Sequence, residues 1–154
     1  MTRGATAPKG SVSPGLFRGE IGGKSENQRR SAGVKLFFDG GLRMRTGMEH
    51  AVVVGGRTII AQDLGPGTSM TAEWLALIAA MRCAVALKLR EPILLGDAAA
   101  VIAQANGTVR CPAAHIDHLR QFQALPRPPG RVRIRYIKRT QNLAGIALAM
   151  LHGE

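Results

Sequence analysis

Cysteine is scarce in this chain, with Cys83 and Cys111 its only two. They form neither a CxxC pair nor a disulfide-dense framework, which argues against a small secreted scaffold and fits a reducing compartment. Long apolar runs are missing too. No stretch approaches the ~18 apolar residues of a membrane span. The N-terminus lacks the apolar core of a secretory signal. The expected location is therefore the cytoplasm, with no membrane partner. Acidic residues are outnumbered: 10 Asp and Glu stand against 21 Lys and Arg, giving a net charge of +11 and a pI of about 11.2. Such an excess favours an anionic partner such as nucleic acid or an anionic membrane. What remains is enough for one ordinary domain. The chain has 154 residues, 45% of them apolar, so a buried core is feasible.

The first 33 residues are rich in Gly, Ser, Pro and Arg/Lys and show neither helical nor strand periodicity. They read as a disordered basic tail. A solvated leader, a non-specific nucleic-acid tether and an organellar transit peptide all fit that composition. The domain is expected over residues 34–154. Val34–Phe38 is apolar and β-branched or aromatic and ends at Asp39-Gly40-Gly41, a strand running into a turn. His50–Val54 and Arg57–Gln62 read as strands joined through Gly55-Gly56. Between about Met70 and Lys88, apolar residues recur at helical spacing from Trp74 to Leu89. Ile93–Leu95 is a short strand, Ala98–Ala105 a helix stopped by Asn106-Gly107, and about Ala113–Ala124 a weaker helix. Arg131–Ile137 alternates basic and apolar residues as a strand, and Asn142–Leu151 is a last helix. The order β-β-β-α-β-α-α-β-α predicts an α/β fold with a mixed five-stranded sheet and flanking helices.

Three acids stand at informative places. Asp39 and Asp97 close strands, and Glu73 is expected in the first turn of the long helix. Strand ends of open α/β sheets are where ligands bind, and carboxylate oxygens suit hard cations such as Mg²⁺ and Mn²⁺. Singly, each has a plainer explanation: Asp before Gly forms turns, and Glu early in a helix answers the helix dipole.

Taken together they carry a resemblance. Phe37-Phe38-Asp39-Gly40-Gly41, Thr71 to Ile78 around Glu73, Gly96-Asp97 through Asn106-Gly107, and Gln141-Asn142 resemble the ribonuclease H family, especially its bacterial reverse-transcriptase-like branch. The resemblance spans roughly residues 34–150. It implies a ribonuclease H-like fold, with Asp39, Glu73 and Asp97 as catalytic metal ligands for Mg²⁺ or Mn²⁺. It also implies an RNA/DNA hybrid as substrate, cut in its RNA strand. The Asp-Glu-Asp order separates the chain from integrases, which run Asp-Asp-Glu, and from proofreading exonucleases, which open on Asp-x-Glu.

The pattern breaks in the last helix. The family's fourth carboxylate follows an Asn by four residues; here Asn142 leads to Ile146, which cannot coordinate a metal. No substitute is obvious, since Glu154 lies two helical turns on, roughly 12 Å along the axis. Ser69 and Met70 replace the usual Asn residues before Glu73, and Ala98 replaces the Ser after Asp97. A nucleic-acid surface is nonetheless expected from Arg43, Arg45, Ser69, Arg131, Arg133, Arg135, Lys138 and Arg139, the strand arginines sharing one face. That stripe reads equally as a solvated strand face. His115 and His118 read as ordinary helix histidines rather than ligands. The expected function is a metal-dependent ribonuclease H-type nuclease weakened by the lost ligand. The alternative is a catalytically dead relative that binds nucleic acid. A third reading, a protein-binding domain, rests on an apolar patch of Met44, Met48 and Met70.

Overall fold

The computed structural model describes residues 32–154, so the expected basic tail lies almost wholly outside the described residues. The elements follow the expected order. They are β1 (Lys35–Arg43), β2 (Gly47–Val54), β3 (Arg57–Ala61), α1 (Ser69–Ala86), β4 (Ile93–Gly96), α2 (Ala99–Ala105), α3 (Ile116–Ala124), β5 (Arg133–Tyr136) and α4 (Leu143–Leu151). Short 3₁₀ turns at Ala113–His115 and Arg139–Gln141 lead into α3 and α4. The sheet runs β3-β2-β1-β4-β5. β1 pairs antiparallel with β2, and β2 with β3; β4 joins β1 in parallel, and β5 joins β4 in parallel.

Alternation along β1 assigns its two faces. Leu36 and Phe38, with Val52 and Val54 of β2, point into the main core against Trp74, Leu77, Ile78 and Met81 of α1. Phe37 and Ala51 point the other way, onto Ala144 and Leu148 of α4. By length and hydropathy α1 meets the measure of a membrane span, contrary to the expectation that no stretch would. Its apolar side chains are taken up by the sheet and by Phe122 of α3, the burial of a core helix.

β1 departs from its expected course. Asp39-Gly40-Gly41 is no turn: the strand continues to Arg43, and these residues pair with Ala51, His50 and Glu49. The turn falls at Met44–Thr46 instead. A tertiary contact explains it. A Cβ at Gly40 would stand 2.3 Å from the Ala72 carbonyl carbon and 2.6 Å from the Glu73 nitrogen, so the glycine lets β1 lie backbone to backbone against α1.

α1 begins earlier than expected because Thr68 caps it, its hydroxyl accepting from the Thr71 amide at 3.0 Å. Glu73 therefore sits in the second turn, and the helix-dipole explanation for it lapses. β5 is shorter than expected and leaves Arg131 outside. Its alternation holds at Arg133, Ile134 and Arg135, but Tyr136 is 55% exposed because β5 is an edge strand with little packed beyond Ile134. The methionine patch does not form. Met44 stands fully exposed at the β1–β2 turn, Met48 is buried beneath Gly67, and Met70 packs against the core.

Candidate metal centre

β1 and β4 pair only as far as Phe37 and Leu95 and then part. Asp39 follows on one side of the split, and Asp97 leaves the end of β4 on the other. The Gly40 contact brings the second turn of α1 to the same place, and the Gly40 amide donates to Glu73 Oε1 at 3.0 Å. One oxygen from each of Asp39, Glu73 and Asp97 lies within 4.8 Å of the others. Among the described residues no other group of His, Cys, Asp or Glu is gathered in this way. His115 and His118 instead stack at 5.9 Å, with His118 also 6.5 Å from the Trp74 ring.

The electrostatics are those of acids forced together. The Asp39 carboxyl is pushed up to about 7 by burial, then by the charge of Asp97, against a smaller opposing pull from Arg139. Glu73 is pushed up to about 8 by burial and by Asp39, with the Gly40 amide opposing. Three oxygen-bearing acids that repel one another in a half-buried pocket fit a hard divalent cation, which would relieve both the repulsion and the desolvation.

Asn142 holds this arrangement from behind. It is fully buried, and its Nδ2 donates to the Phe38 carbonyl at 3.0 Å and to Asp97 Oδ2 at 3.3 Å. Its Oδ1 accepts from the Ala144 amide at 3.1 Å, capping α4. One side chain thus ties β1, Asp97 and the last helix together. In sequence Asn142 stands out only within the matched Gln141-Asn142 pair and as the first residue of the last helix. Its position one residue ahead of an apolar run was the available signal for a cap.

The acids open into a cleft of about 530 Å³ whose walls include Arg43, Ser69, Arg139, Gly145 and Ile146. The chain matches the family described as reverse transcriptase-like over residues 41–152. It belongs to that family. No curated protein matches it by sequence. Its fold is shared with ribonuclease H1 of the halophilic archaeon Halobacterium salinarum, 24% identical, with a TM-score of 0.64 over 79% of this chain and 98% of that one. It is shared as well with the N-terminal ribonuclease H domain of a Mycobacterium tuberculosis protein, 24% identical, with a TM-score of 0.65 over 80% and 99%. A third relative in fold is LC11-RNase H1, isolated from compost and solved in complex with an RNA/DNA hybrid. It is 21% identical, with a TM-score of 0.52 over 71% of this chain and 88% of that one.

Within this reverse transcriptase-like domain the family match takes in Glu73 and Asp97 and starts just after Asp39, which the geometry adds. Ile146 faces the cleft, 40% exposed, and belongs to an apolar helix side with Leu143 and Met150. Neighbouring Gly145 lies close enough that a Cβ there would be 3.2 Å from Asp39 Oδ2. Of the expected nucleic-acid residues, Arg43, Ser69 and Arg139 line the cleft. Arg45 lines an adjoining groove between the β1–β2 turn and Gly65-Pro66-Gly67. Arg131, Arg133, Arg135 and Lys138 are exposed along and beside edge strand β5, apart from the cleft.

Two further acids stand at the cleft wall. Glu49 is 1% exposed on β2, opposite Gly41. Glu154, set aside as too distant along the helix, lines the same cleft. Both are held by Arg43 rather than by the three-acid cluster.

Proposed function

We propose that this domain is a divalent-metal-dependent nuclease of the ribonuclease H type, acting on the RNA strand of RNA/DNA hybrids and weakened by Ile146. The observation that carries the reading is the convergence of Asp39, Glu73 and Asp97 at the parting of β1 and β4. Mg²⁺ or Mn²⁺ bound there supplies Lewis-acid charge and water activation for phosphodiester hydrolysis. The chain's own residues do the rest. The three carboxylates offer only oxygen donors. Asn142 fixes Asp97 relative to the β1 backbone. Arg139, which faces Asp39, and Arg43 place positive charge along the cleft for a phosphate backbone.

Ile146 favours a second reading, a nucleic-acid-binding domain without catalysis, because the helix that walls the cleft adds no carboxylate to the three-acid cluster. The two readings part in one experiment: cleavage of a labelled RNA/DNA hybrid in Mg²⁺ and in Mn²⁺, beside Asp97→Asn. A loss of more than about 100-fold in the variant is expected, since even partners outside the ligand set cost roughly 10–100-fold. No cleavage by the unaltered chain, with the hybrid bound at low salt, would leave the binding reading.

A further inference from the structure

Between described residues, every ion pair gathers at one corner of the cleft. At its centre is Arg43, two residues beyond Gly41 on β1. Its Nε donates to Glu49 Oε2 at 3.2 Å, while Nη1 and Nη2 donate to the two oxygens of Glu154 at 2.7 and 3.3 Å. Glu49 is buried and is also 2.9 Å from His152 Nε2 through each of its oxygens.

The two carboxylates on Arg43 do different things. Glu49 takes the Nε, so the guanidinium plane is set from the buried side. Glu154 takes the Nη edge in the two-pronged geometry that a phosphate would use. Glu154 is also delivered there by the backbone. Gly153 adopts φ +72° just past the end of α4. The Gly153 amide donates to the Met150 carbonyl at 3.1 Å and the Glu154 amide to the Ala149 carbonyl at 2.8 Å. That bonding is a Schellman ending, which folds the chain back over the helix. The capping turn therefore carries the Glu154 side chain onto the wall that holds Asp39 and Glu73.

We infer that the Nη edge of Arg43 is a phosphate subsite beside the metal centre, and that Glu154 occupies it in the resting chain as an internal competitor. The inference rests on the nucleic-acid reading and adds to it a gate. An exposed ion pair is weak and salt-screened, so a phosphate already drawn to the cleft can displace Glu154. Arg43 stays in place because Glu49 holds it.

The test is equilibrium binding by the full chain, without added divalent ion, to a labelled RNA/DNA hybrid and separately to inorganic tripolyphosphate. The proteins are the unaltered chain, Glu154→Gln, Arg43→Ala and the double variant. Glu154→Gln is expected to tighten hybrid binding about three- to fivefold. It should also steepen the fall of log affinity with log salt by about one phosphate contact. In the Arg43→Ala background the gain should vanish. A gain on tripolyphosphate with no hybrid binding by any variant keeps the gate and overturns the hybrid reading. No gain on either probe, or an equal gain without Arg43, overturns the gate.

Discussion

The two helices that pack on β1 make an instructive contrast. α1 lies along one face of the sheet, buries Ala72, Trp74, Ala76, Leu77, Ile78 and Met81, and brings a carboxylate to the three-acid cluster. α4 lies on the other face, buries Ala144 and Leu148, leaves Leu143, Ile146 and Met150 exposed, and brings none. α1 cannot shift without opening the main core, so Glu73 is held by the same packing that holds the fold. α4 rests on a small cluster and on two polar fastenings, Asn142 at its start and the Arg43–Glu154 corner at its end. A side chain lost from the α4 side changes the site with little effect on the fold, whereas a change at the α1 contact disturbs both.

Gly40 is the sharpest place to break that contrast. In Gly40→Ala the new methyl meets backbone atoms of Ala72 and Glu73, which cannot rotate away. The variant is expected to lose about 1–3 kcal/mol of stability, read by denaturant unfolding, and cleavage with it, because Glu73 moves with α1. Full stability would mean that α1 is not tightly seated on β1.

That same glycine marks where the sequence stops being legible. Element order, sheet composition and the three acids follow from local periodicity and from the matched motifs. Asp39-Gly40-Gly41 is locally a turn signal; pairing with Glu49, His50 and Ala51 of β2 makes it strand, and the glycine admits the α1 backbone from more than 30 residues downstream. Glu49 lies ahead of the expected strand His50–Val54, which in fact begins at Gly47; its partners are Arg43 and His152 from the other end of the domain. Glu154 looked remote when the helix was extended in a straight line, and Gly153 turns it back. Each of these depends on a contact distant in sequence or on a single backbone angle, and neither leaves a periodic trace.

The acid cluster that α1 helps to close should also respond to pH. Asp39 and Glu73 bind protons more tightly folded, at about 7 and about 8, than at their ordinary values of 3.8 and 4.5. The native state thus carries more protons than the unfolded one across this window, so these groups lower stability as pH rises from about 4 to about 8. Mg²⁺ or Mn²⁺ binds the deprotonated acids and should offset the loss, more strongly at the alkaline end. Tm measured across that range with and without metal is expected to diverge as pH rises. The divergence should shrink in Asp39→Asn, where one titrating ligand is gone. Parallel curves would mean that the acids do not share a cation.

Ile146→Asp asks whether the α4 side can be rebuilt. Position 146 already faces the cleft, and Asn142 fixes the start of its helix, so the new carboxylate enters a wall that is in place. Without metal a fourth acid adds repulsion to a cluster that already resists ionisation, and the variant should melt lower than the unaltered chain. With Mn²⁺ the sign should reverse, and cleavage should rise up to about tenfold, at the low end of what partners of a metal site contribute. Ile146→Asn is the matched control, polar but nearly without ligand strength; a gain there equal to that of Asp would assign the effect to lost apolar surface. If Asp lowers the metal-free Tm and still adds nothing to cleavage, the charge has reached the cluster without being used. The α1 side would then be a complete site in this chain, and the helix across from it a wall.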